Sequence, residues 1–148
     1  MTCSEKTPHP PWRQWRHVFK LDPDRPLSDA ALERICRSGT DAVMVGGSTG
    51  VTYENTEQLL RRIQQFSVPA LACALEISDE QAVVPGFDTY FVPLVLNTSD
   101  TRWLIGKHQQ AVKAFDGLVP WELVAAEGYV ILNGQAAAAY KTGADTEL

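Results

Sequence analysis

Short apolar runs that end in polar residues are the feature that most constrains the fold of this chain. The stretches 18–23 (VFKLDP) and 41–48 (DAVMVGGS) both follow this pattern. A parallel strand that is buried on both faces is apolar along its length and delivers polar side chains at its carboxyl end. The pattern therefore predicts parallel strands, with candidate site residues where the strands end.

Lys20 and Asp22 are the charged residues of the first run. Because side chains alternate along a strand, the two residues point to the same face of the predicted sheet. A charge buried there without a partner is costly, so two hypotheses remain open. One is a structural ion pair that caps the strand. The other is a site for an anionic substrate and its Mg²⁺, since a carboxylate suits Mg²⁺ and an ammonium suits a phosphate.

Strands and helices are predicted to alternate along the chain. We predict strands at 17–22, 41–45, 70–75, 89–96 and 127–132, with Ser28 as the N-cap of a first helix and helical spacing through residues 52–66 and from Trp103 to Phe115. Pro93 suggests a bulge or kink in the fourth strand, and the Ala-rich segment 134–148 shows no clear apolar period. Such alternation implies a parallel sheet. The predicted strands end in polar residues, namely Asp22, Ser48, Glu76, Asn97 and Asn133. This is typical of the active face of a (β/α)₈ barrel, and an open doubly wound sheet gives a similar pattern.

The length of the chain suits only part of such a barrel. A complete (β/α)₈ barrel typically needs about 200–250 residues, whereas this chain has 148 residues. We therefore expect an incomplete barrel of about five parallel strands over residues 15–148. Residues 1–14 are predicted to form a loose N-terminal tail, because the segment is polar and rich in proline.

Composition excludes several functional classes. A net charge of −5 without a basic cluster argues against a nucleic-acid partner. The chain shows no apolar run long enough for a membrane span and no signal peptide. Three cysteines (Cys3, Cys36 and Cys73) without a CxxC pair argue against a disulfide framework or a zinc site, which predicts a cytoplasmic protein. Cys36 and Cys73 are predicted to be core residues.

The loop 46–50 (GGSTG) follows the second predicted strand. It is neither a Walker A loop nor GxGxxG, so it is either a phosphate-binding loop or an ordinary tight turn. Asp22 and Ser48 would lie on neighbouring strand ends, and a carboxylate with a hydroxyl is typical of Mg²⁺ coordination completed by water and substrate phosphate. Glu76 is predicted to be a base, a partner of the site, or a salt-bridged strand end. Trp12 and Trp15 are expected to cap the bottom of the barrel or to form an interface.

Several segments of the chain resemble the PcrB-like family of prenylglyceryl phosphate synthases. They are 15–23 (WRHVFKLDP), 38–43 (SGTDAV), 46–48 (GGS), 84–93 (VPGFDTYFVP), 96–97 (LN), 103–108 (WLIGKH) and 127–133 (EGYVILN). The resemblance implies a (β/α)₈ barrel that uses Mg²⁺ to join sn-glycerol 1-phosphate to a polyprenyl diphosphate as an ether, in membrane lipid synthesis. Bacterial members use a heptaprenyl chain and archaeal relatives a geranylgeranyl chain.

The resemblance also implies roles for single residues. It assigns glycerol-phosphate binding to Lys20 and magnesium binding to Asp22 and Ser48, which agrees with the second hypothesis for the strand end. For the full-length family it implies a homodimer and a peripheral contact with the membrane through the lipid substrate. The family's remaining glycerol-phosphate motifs (Tyr-x-Glu-Tyr-Ser-Gly, Gly-Gly-Gly-Ile and Gly-Asn) do not occur in this sequence.

Three functional hypotheses follow from these observations. The first is a heptaprenylglyceryl phosphate synthase. The second is an inactive truncated remnant of such a synthase that keeps residual Mg²⁺-diphosphate binding. The third is an unrelated phosphate-binding α/β protein, which the near-continuous resemblance disfavours. A barrel cut after about five strands would leave an unpaired edge, so we expect the 148-residue chain alone not to be a competent synthase.

Overall fold

Five parallel strands form one sheet whose spatial order follows the order of the chain. The computed structural model describes residues 12–77 and 83–147. The strands are β1 (Val18–Leu21), β2 (Ala42–Val45), β3 (Ala72–Glu76), β4 (Thr89–Val95) and β5 (Val124–Tyr129). Every neighbouring pair in the order β1-β2-β3-β4-β5 is parallel. The predicted parallel sheet of about five strands is confirmed.

Within residues 12–77 and 83–147, four α-helices connect or follow these strands. They are α1 (Asp29–Cys36), α2 (Tyr53–Gln65), α3 (Gly106–Phe115) and α4 (Ala137–Thr142), with 3₁₀ turns at Trp12–Gln14, Thr101–Trp103 and Trp121–Leu123. Ser28 caps α1 by accepting a hydrogen bond from the backbone of Ala31, as predicted. Thr52 and Asn55 form a reciprocal capping box at the start of α2. None of the helices in the described ranges is long and apolar enough to cross a membrane.

The two faces of the sheet bury different side chains. On the outer face, Val43, Val45 and Leu75 pack with Leu32 and Leu60 of the first two helices in the main hydrophobic core. On the inner face, the small cluster of Met44, Ala74 and Phe91 is covered by two tryptophans. Both tryptophans meet the Phe91 ring edge to face.

Those two tryptophans, Trp12 and Trp15, come just before β1. They therefore cover the inner face from the amino-terminal end of the strands, which is the predicted bottom cap. Trp12 lies within the segment predicted as a loose tail, and it belongs to a short 3₁₀ turn. Residues 1–11 of that predicted tail lie outside the described residues.

The sheet is strongly curved towards its inner face. Four strand spacings of about 4.8 Å would separate β1 from β5 by about 19 Å in a flat sheet. Nevertheless, Lys20 of β1 donates a hydrogen bond of 2.9 Å to the hydroxyl of Tyr129 on β5. The carboxyl ends of the first and last strands therefore face each other across the concave inner face of the sheet, which we call the cup. The same arrangement is found in part of a closed barrel.

Asp41 fixes the start of β1 against β2. Its carboxylate accepts hydrogen bonds from the backbone N–H groups of Arg16 and His17, at 2.7 and 2.9 Å. These two bonds stabilise the ionised form, and they lower the pKa of Asp41. The register that results pairs Lys20 with Met44, so Lys20 comes out on the inner face of the sheet.

The end of the chain differs from the prediction in two places. The fifth strand was expected at 127–132 but spans Val124–Tyr129, because residues 124–129 pair with residues 90–95 of β4. Beyond β5, the Asn97 side chain accepts a hydrogen bond from the backbone N–H of Ile131 at 3.0 Å and donates one to its carbonyl at 2.8 Å. These bonds replace strand pairing, so the rest of the apolar run lies outside the sheet. The Ala-rich segment, which shows no apolar period, forms α4.

Pro93 was expected to cause a bulge or kink in β4, and the register of the strand shows no bulge there. The register with β5 runs without interruption through residues 90–95. The carbonyl of Phe91 accepts a bond from Ile77 at the end of β3, so Phe91 faces β3. Pro93, two residues on, faces the same side but lies past the end of β3, where its missing N–H has no ladder bond to make.

The packing of the main core predicts which leucine stabilises the fold. Leu32 is completely buried in the main core, whereas Leu118 is 56% exposed. We expect Leu32→Ala to lower the free energy of unfolding by about 2–5 kcal/mol, because it leaves a cavity that the packed sheet cannot close. The matched control Leu118→Ala should change it by less than about 0.5 kcal/mol. Urea unfolding followed by tryptophan fluorescence measures both, and equal effects would contradict the assigned core.

Candidate active site

Lys20 lies at the centre of the cup, at the carboxyl end of β1. Its ammonium forms an ion pair with Glu76 of β3, and it donates to the hydroxyl of Tyr129. It also lies 5.2 Å from the centre of the Tyr129 ring. Burial lowers the pKa of Lys20, but the attraction and hydrogen bond of Glu76, with a smaller part from Tyr129, outweigh it and raise the pKa. Lys20 is therefore held as a fixed positive charge.

Gly46 leaves room for the contact between Lys20 and Glu76. The two residues belong to β1 and β3, so the Glu76 side chain must reach across β2. The register places Gly46 beside Glu76, and a Cβ atom on residue 46 would lie only 2.8 Å from Glu76 Oε2. No side chain other than that of glycine fits this gap without displacing the carboxylate. The side chain of Glu76 is 9% exposed and that of Lys20 is 41% exposed, so the carboxylate is shielded from water while the lysine side chain is partly open to it.

Glu127 of β5 adds a second carboxyl group to the same face. Its register partner on β4 is Pro93, two residues beyond Phe91, which in turn pairs with Glu76 of β3. Burial, and then the negative charge of Glu76, raise the pKa of Glu127, against a smaller opposing effect of Lys20. One oxygen of Glu127 is buried without a hydrogen-bond partner. Burial, and then Glu76, also raise the pKa of Tyr129.

Asp22 follows Lys20 at the end of β1 and packs on the glycine loop. A Cβ atom on residue 47 would lie 2.5 Å from Asp22 Oδ1, so the carboxylate rests directly on the backbone of Gly47. This places it against the loop that carries Ser48. Asp22 Oδ1 also accepts the N–H of Asp24 at 3.0 Å, while Oδ2 lies 4.0 Å from Nε of Arg25. Three side chains occupy the space beside the glycines of this loop: Glu76 at Gly46, Asp22 at Gly47 and Asp24 at Gly50.

Asp22 and Ser48 carry oxygen ligands of the kind that the predicted magnesium site would use, and the Asp22 carboxylate rests on Gly47, next to Ser48. Mg²⁺ prefers hard oxygen ligands, and proteins commonly hold it through one or two carboxylates while water and substrate phosphates complete the shell. The described part of the chain contains no cluster of three or more His, Cys, Asp or Glu that could hold a metal ion. These residues therefore suit Mg²⁺ that arrives with a phosphate ligand better than a metal held by the protein alone.

Asn97 and Asn133, the polar residues at the other predicted strand ends, have structural roles. Asn97 bonds the backbone of Ile131, and its side-chain amide also donates to the carbonyl of Asp145 at 2.6 Å. The Asn133 side chain accepts the N–H of Gln135 in a turn. Both asparagines thus hold the segment that leads into α4, and they are not directed at the Lys20 site.

Helix α4 covers one side of the site, where Ala138, Lys141 and Thr142 line the cavity. The backbone of Gly143, in the left-handed conformation that ends the helix, accepts bonds from the N–H and hydroxyl of Ser99 at 3.1 and 3.0 Å. On its other side, Lys141 Nζ donates a bond of 2.8 Å to the carbonyl of Ser48. A cavity of about 130 Å³ lies between α4 and the carboxyl ends of the strands. Its lining combines Lys20, Glu76, Tyr129, Lys141 and Ser48 with apolar side chains, including Ile77, Val95, Trp103 and Ile131.

The sequence identified only part of this site. The structure brings Lys20 and Ser48 to one cavity, and it places Asp22 at the adjoining glycine loop. Sequence reasoning missed the contributions of Glu127, Tyr129 and Lys141. The alternation in the predicted fifth strand could have indicated that Glu127 and Tyr129 share a face. No local pattern pointed to Lys141, because its contact joins residues that are 93 positions apart.

The charge network predicts the titration of Lys20. Because Glu76 is the main group that offsets the burial of Lys20, we expect Glu76→Gln to lower the pKa of Lys20. NMR titration of ¹³C-labelled lysine side chains measures the shift, with the exposed Lys113 as an internal reference. Glu76→Asp, which keeps the charge, should restore part of the pKa. An unchanged Lys20 titration in Glu76→Gln would refute the assigned ion pair.

The raised pKa of Glu127 predicts a pH-dependent stability. The folded chain holds this proton more tightly than the unfolded chain, so the fold loses stability as the pH rises from the ordinary glutamate value through the folded pKa. Glu127→Gln removes this loss, so its stability relative to the wild type should increase as the pH rises above the ordinary glutamate value. Urea unfolding at several pH values tests this, with the exposed Glu122→Gln as the control. A difference that does not vary with pH would contradict the assignment.

Comparisons of the sequence and of the structure with known proteins are consistent with the fold described above. A family model described as the PcrB family matches residues 10–148. The chain is 57% identical over 136 residues to a heptaprenylglyceryl phosphate synthase of Geobacillus kaustophilus, covering 92% of this chain and 56% of that protein. It is 54% identical over 136 residues to the protein of the same name from Geobacillus thermodenitrificans, with the same coverage of 92% and 56%. The chain thus spans about half the length of the curated relatives it matches.

Solved structures show the same fold. The wild-type GGGPS of Thermoplasma volcanium superposes with a TM-score of 0.74 at 22% identity, over 88% of this chain and 52% of that chain. The (S)-3-O-geranylgeranylglyceryl phosphate synthase of Thermoplasma acidophilum, in complex with sn-glycerol-1-phosphate, gives a TM-score of 0.70 at 19% identity, over 89% and 53%. The curved parallel sheet is therefore part of a (β/α)₈ barrel. With a family model matched over nearly all of its length and relatives more than half identical to it, this chain belongs to the PcrB family.

Proposed function

We propose that this protein is a prenyltransferase that joins sn-glycerol 1-phosphate to a polyprenyl diphosphate, with heptaprenyl as the prenyl group. The observation that carries the proposal is the fixed positive charge of Lys20 at the carboxyl end of β1, in a chain 57% identical to a heptaprenylglyceryl phosphate synthase. The proposal includes Mg²⁺ as the cofactor and membrane lipid synthesis as the role. Assembly as a homodimer and contact with the membrane surface through the lipid substrate belong to the same proposal.

Lys20 is the residue that would bind the phosphate of sn-glycerol 1-phosphate. Its ammonium is held by Glu76 and Tyr129, so little side-chain freedom is left to lose when the phosphate binds. The donor capacity of an ammonium is three hydrogens, so one remains for a substrate oxygen after these two contacts. The bound phosphate is thereby positioned at the carboxyl end of the sheet, where the family fold carries its chemistry.

The reaction forms one carbon–oxygen bond and breaks another. The C3 hydroxyl of glycerol phosphate attacks the allylic carbon of the prenyl substrate, the bond from that carbon to diphosphate breaks, and the hydroxyl proton is released. Charge neutralisation on the leaving diphosphate is the chemistry that a bound Mg²⁺ supplies. Asp22 and Ser48 would hold it, since the Asp22 carboxylate rests against Gly47, next to Ser48. The apolar side chains that line the cavity below α4 exclude water from the allylic carbon.

An activity assay tests the proposed function directly. Protein expressed from its native gene is incubated with labelled sn-glycerol 1-phosphate, heptaprenyl diphosphate and Mg²⁺, and the label that becomes extractable into organic solvent is counted. We expect extraction with this enantiomer and not with sn-glycerol 3-phosphate where the product of the native gene is a complete barrel, because the 148-residue chain alone is not expected to be a competent synthase. If no label is extracted although the chain binds Mg²⁺-diphosphate, the alternative of an inactive remnant is favoured. If both are absent, neither hypothesis holds.

The metal-binding role of Asp22 gives a separate prediction. Asp22→Asn keeps the size of the side chain and removes the charge, so we expect Mg²⁺-dependent binding of a prenyl diphosphate to weaken roughly tenfold or more. Isothermal titration calorimetry with and without Mg²⁺ measures the change. Asp116→Asn, at an exposed carboxylate just after α3, is the matched control. An unchanged affinity in Asp22→Asn would remove Asp22 from the metal site.

A further inference from the structure

Glu127 lies in the same layer of the inner face as Lys20 and Glu76. The line of paired residues that starts at Lys20 reaches Ala74 on β3, two residues before Glu76. In the same way, the line from Glu76 reaches Ala125 on β5, two residues before Glu127. A step of one residue per strand is the stagger of a (β/α)₈ barrel, in which alternate strands contribute the side chains of one layer. The three charged residues therefore surround one level of the cup.

The members of this layer differ in their partners. Lys20 forms its ion pair with Glu76 and donates to the hydroxyl of Tyr129. By contrast, the Oε2 atom of Glu127 is buried and has no hydrogen-bond partner among the described residues. Burial, and then the negative charge of Glu76, raise the pKa of Glu127 against the effect of Lys20, as expected for groups that share a layer. A buried carboxyl oxygen without a partner is unfavourable, so a ligand group that bonds it gains affinity.

The unpartnered oxygen belongs to a residue that adjoins the cavity of the site. Pro93, the register partner of Glu127, lines this cavity together with Lys20, Glu76 and Tyr129. Glu127 and Tyr129 are two residues apart on β5 and share its inner face. Glu127 therefore lies on the amino-terminal side of the cavity, next to the position where Lys20 would hold a phosphate.

The chemistry of a carboxyl group in this place favours a hydroxyl over a phosphate. An ionised carboxylate accepts a hydrogen bond from a hydroxyl, and a protonated one can both donate and accept. Either form thus bonds a hydroxyl, whereas ionised Glu127 and Glu76 would repel a phosphate. Glycerol phosphate carries a phosphate at one end and hydroxyl groups on its other two carbons. With its phosphate on Lys20, the hydroxyl groups are the part that suits Glu127.

We propose that Glu127 binds a hydroxyl group of sn-glycerol 1-phosphate. This inference rests on the proposed function and adds a substrate-binding residue to it. Lys20 and Glu127 then hold the two ends of the substrate, which fixes the direction in which the glycerol lies in the cavity. The same bond satisfies the buried Glu127 oxygen.

A comparison of two phosphate monoesters tests the inference, because methyl phosphate lacks the hydroxyl groups of sn-glycerol 1-phosphate. Calorimetric titrations of the 148-residue chain measure the affinity of each ligand for the wild type and for Glu127→Met. We expect the wild type to prefer sn-glycerol 1-phosphate roughly tenfold or more, because this ligand alone can bond the buried carboxyl. Glu127→Met should lose the preference through weaker binding of sn-glycerol 1-phosphate, while its affinity for methyl phosphate should not fall.

Three further variants complete the test. Glu127→Gln keeps the size and one acceptor oxygen, so it should lower the preference by a smaller factor, and it serves alone if Glu127→Met does not fold. Glu122→Gln, at an exposed carboxylate, should leave both affinities unchanged. Lys20→Met should weaken the binding of both ligands, because both carry the phosphate.

The possible contrary results have different meanings. A preference that is equal in the wild type and the Glu127 variants, or absent from a wild type that binds methyl phosphate, would overturn the inference and leave the proposed function intact. Equal losses of affinity for the two ligands in a Glu127 variant would mean that the side chain only supports the site, and this also overturns the inference. A wild-type chain that binds neither ligand would overturn both the inference and the proposed function of this chain.

Discussion

The curvature of the parallel sheet is the constraint on which the rest of the structure depends. It brings the carboxyl ends of β1 and β5 within reach of one hydrogen bond, from Lys20 to Tyr129. Parallel strands twist and stagger in one direction, so a sheet with helices packed on its outer face closes towards its inner face. In a flat sheet, Lys20 on the edge strand would be out of reach of Tyr129 on β5. In the curved sheet it contacts both Glu76 of β3 and Tyr129 of β5.

The ion pair between Lys20 and Glu76 shows why glycine is needed in the middle strand. Two strands that are not neighbours exchange a contact across β2, and only a residue without a side chain leaves room for it. Gly46 therefore has an electrostatic consequence, although it carries no charge. The same principle applies at Gly47, where the missing side chain gives the Asp22 carboxylate its position. The two glycines and the two acids form one arrangement.

Much of this architecture could be predicted from sequence because it is encoded locally. Apolar runs and the Ser28 cap gave the alternation of strands and helices, and the strand ends pointed to Lys20, Asp22 and Ser48. The unpredicted parts depend on contacts between distant residues. Helix α4 has no apolar period, and it is held by Asn97, Thr98 and Ser99 rather than by its own pattern. The extent of β5 was misplaced because its pairing with β4, not its own apolar run, sets its bounds.

The bond between Lys20 and Tyr129 joins residues that are 109 positions apart. A contact of that span exists only when the strands between the two residues are in place, and closing so long a segment of chain costs conformational entropy. It follows that the site and the whole sheet are thermodynamically linked. A molecule that binds in the cup binds the folded chain alone, and its binding free energy adds to the stability of every strand between the first and the fifth.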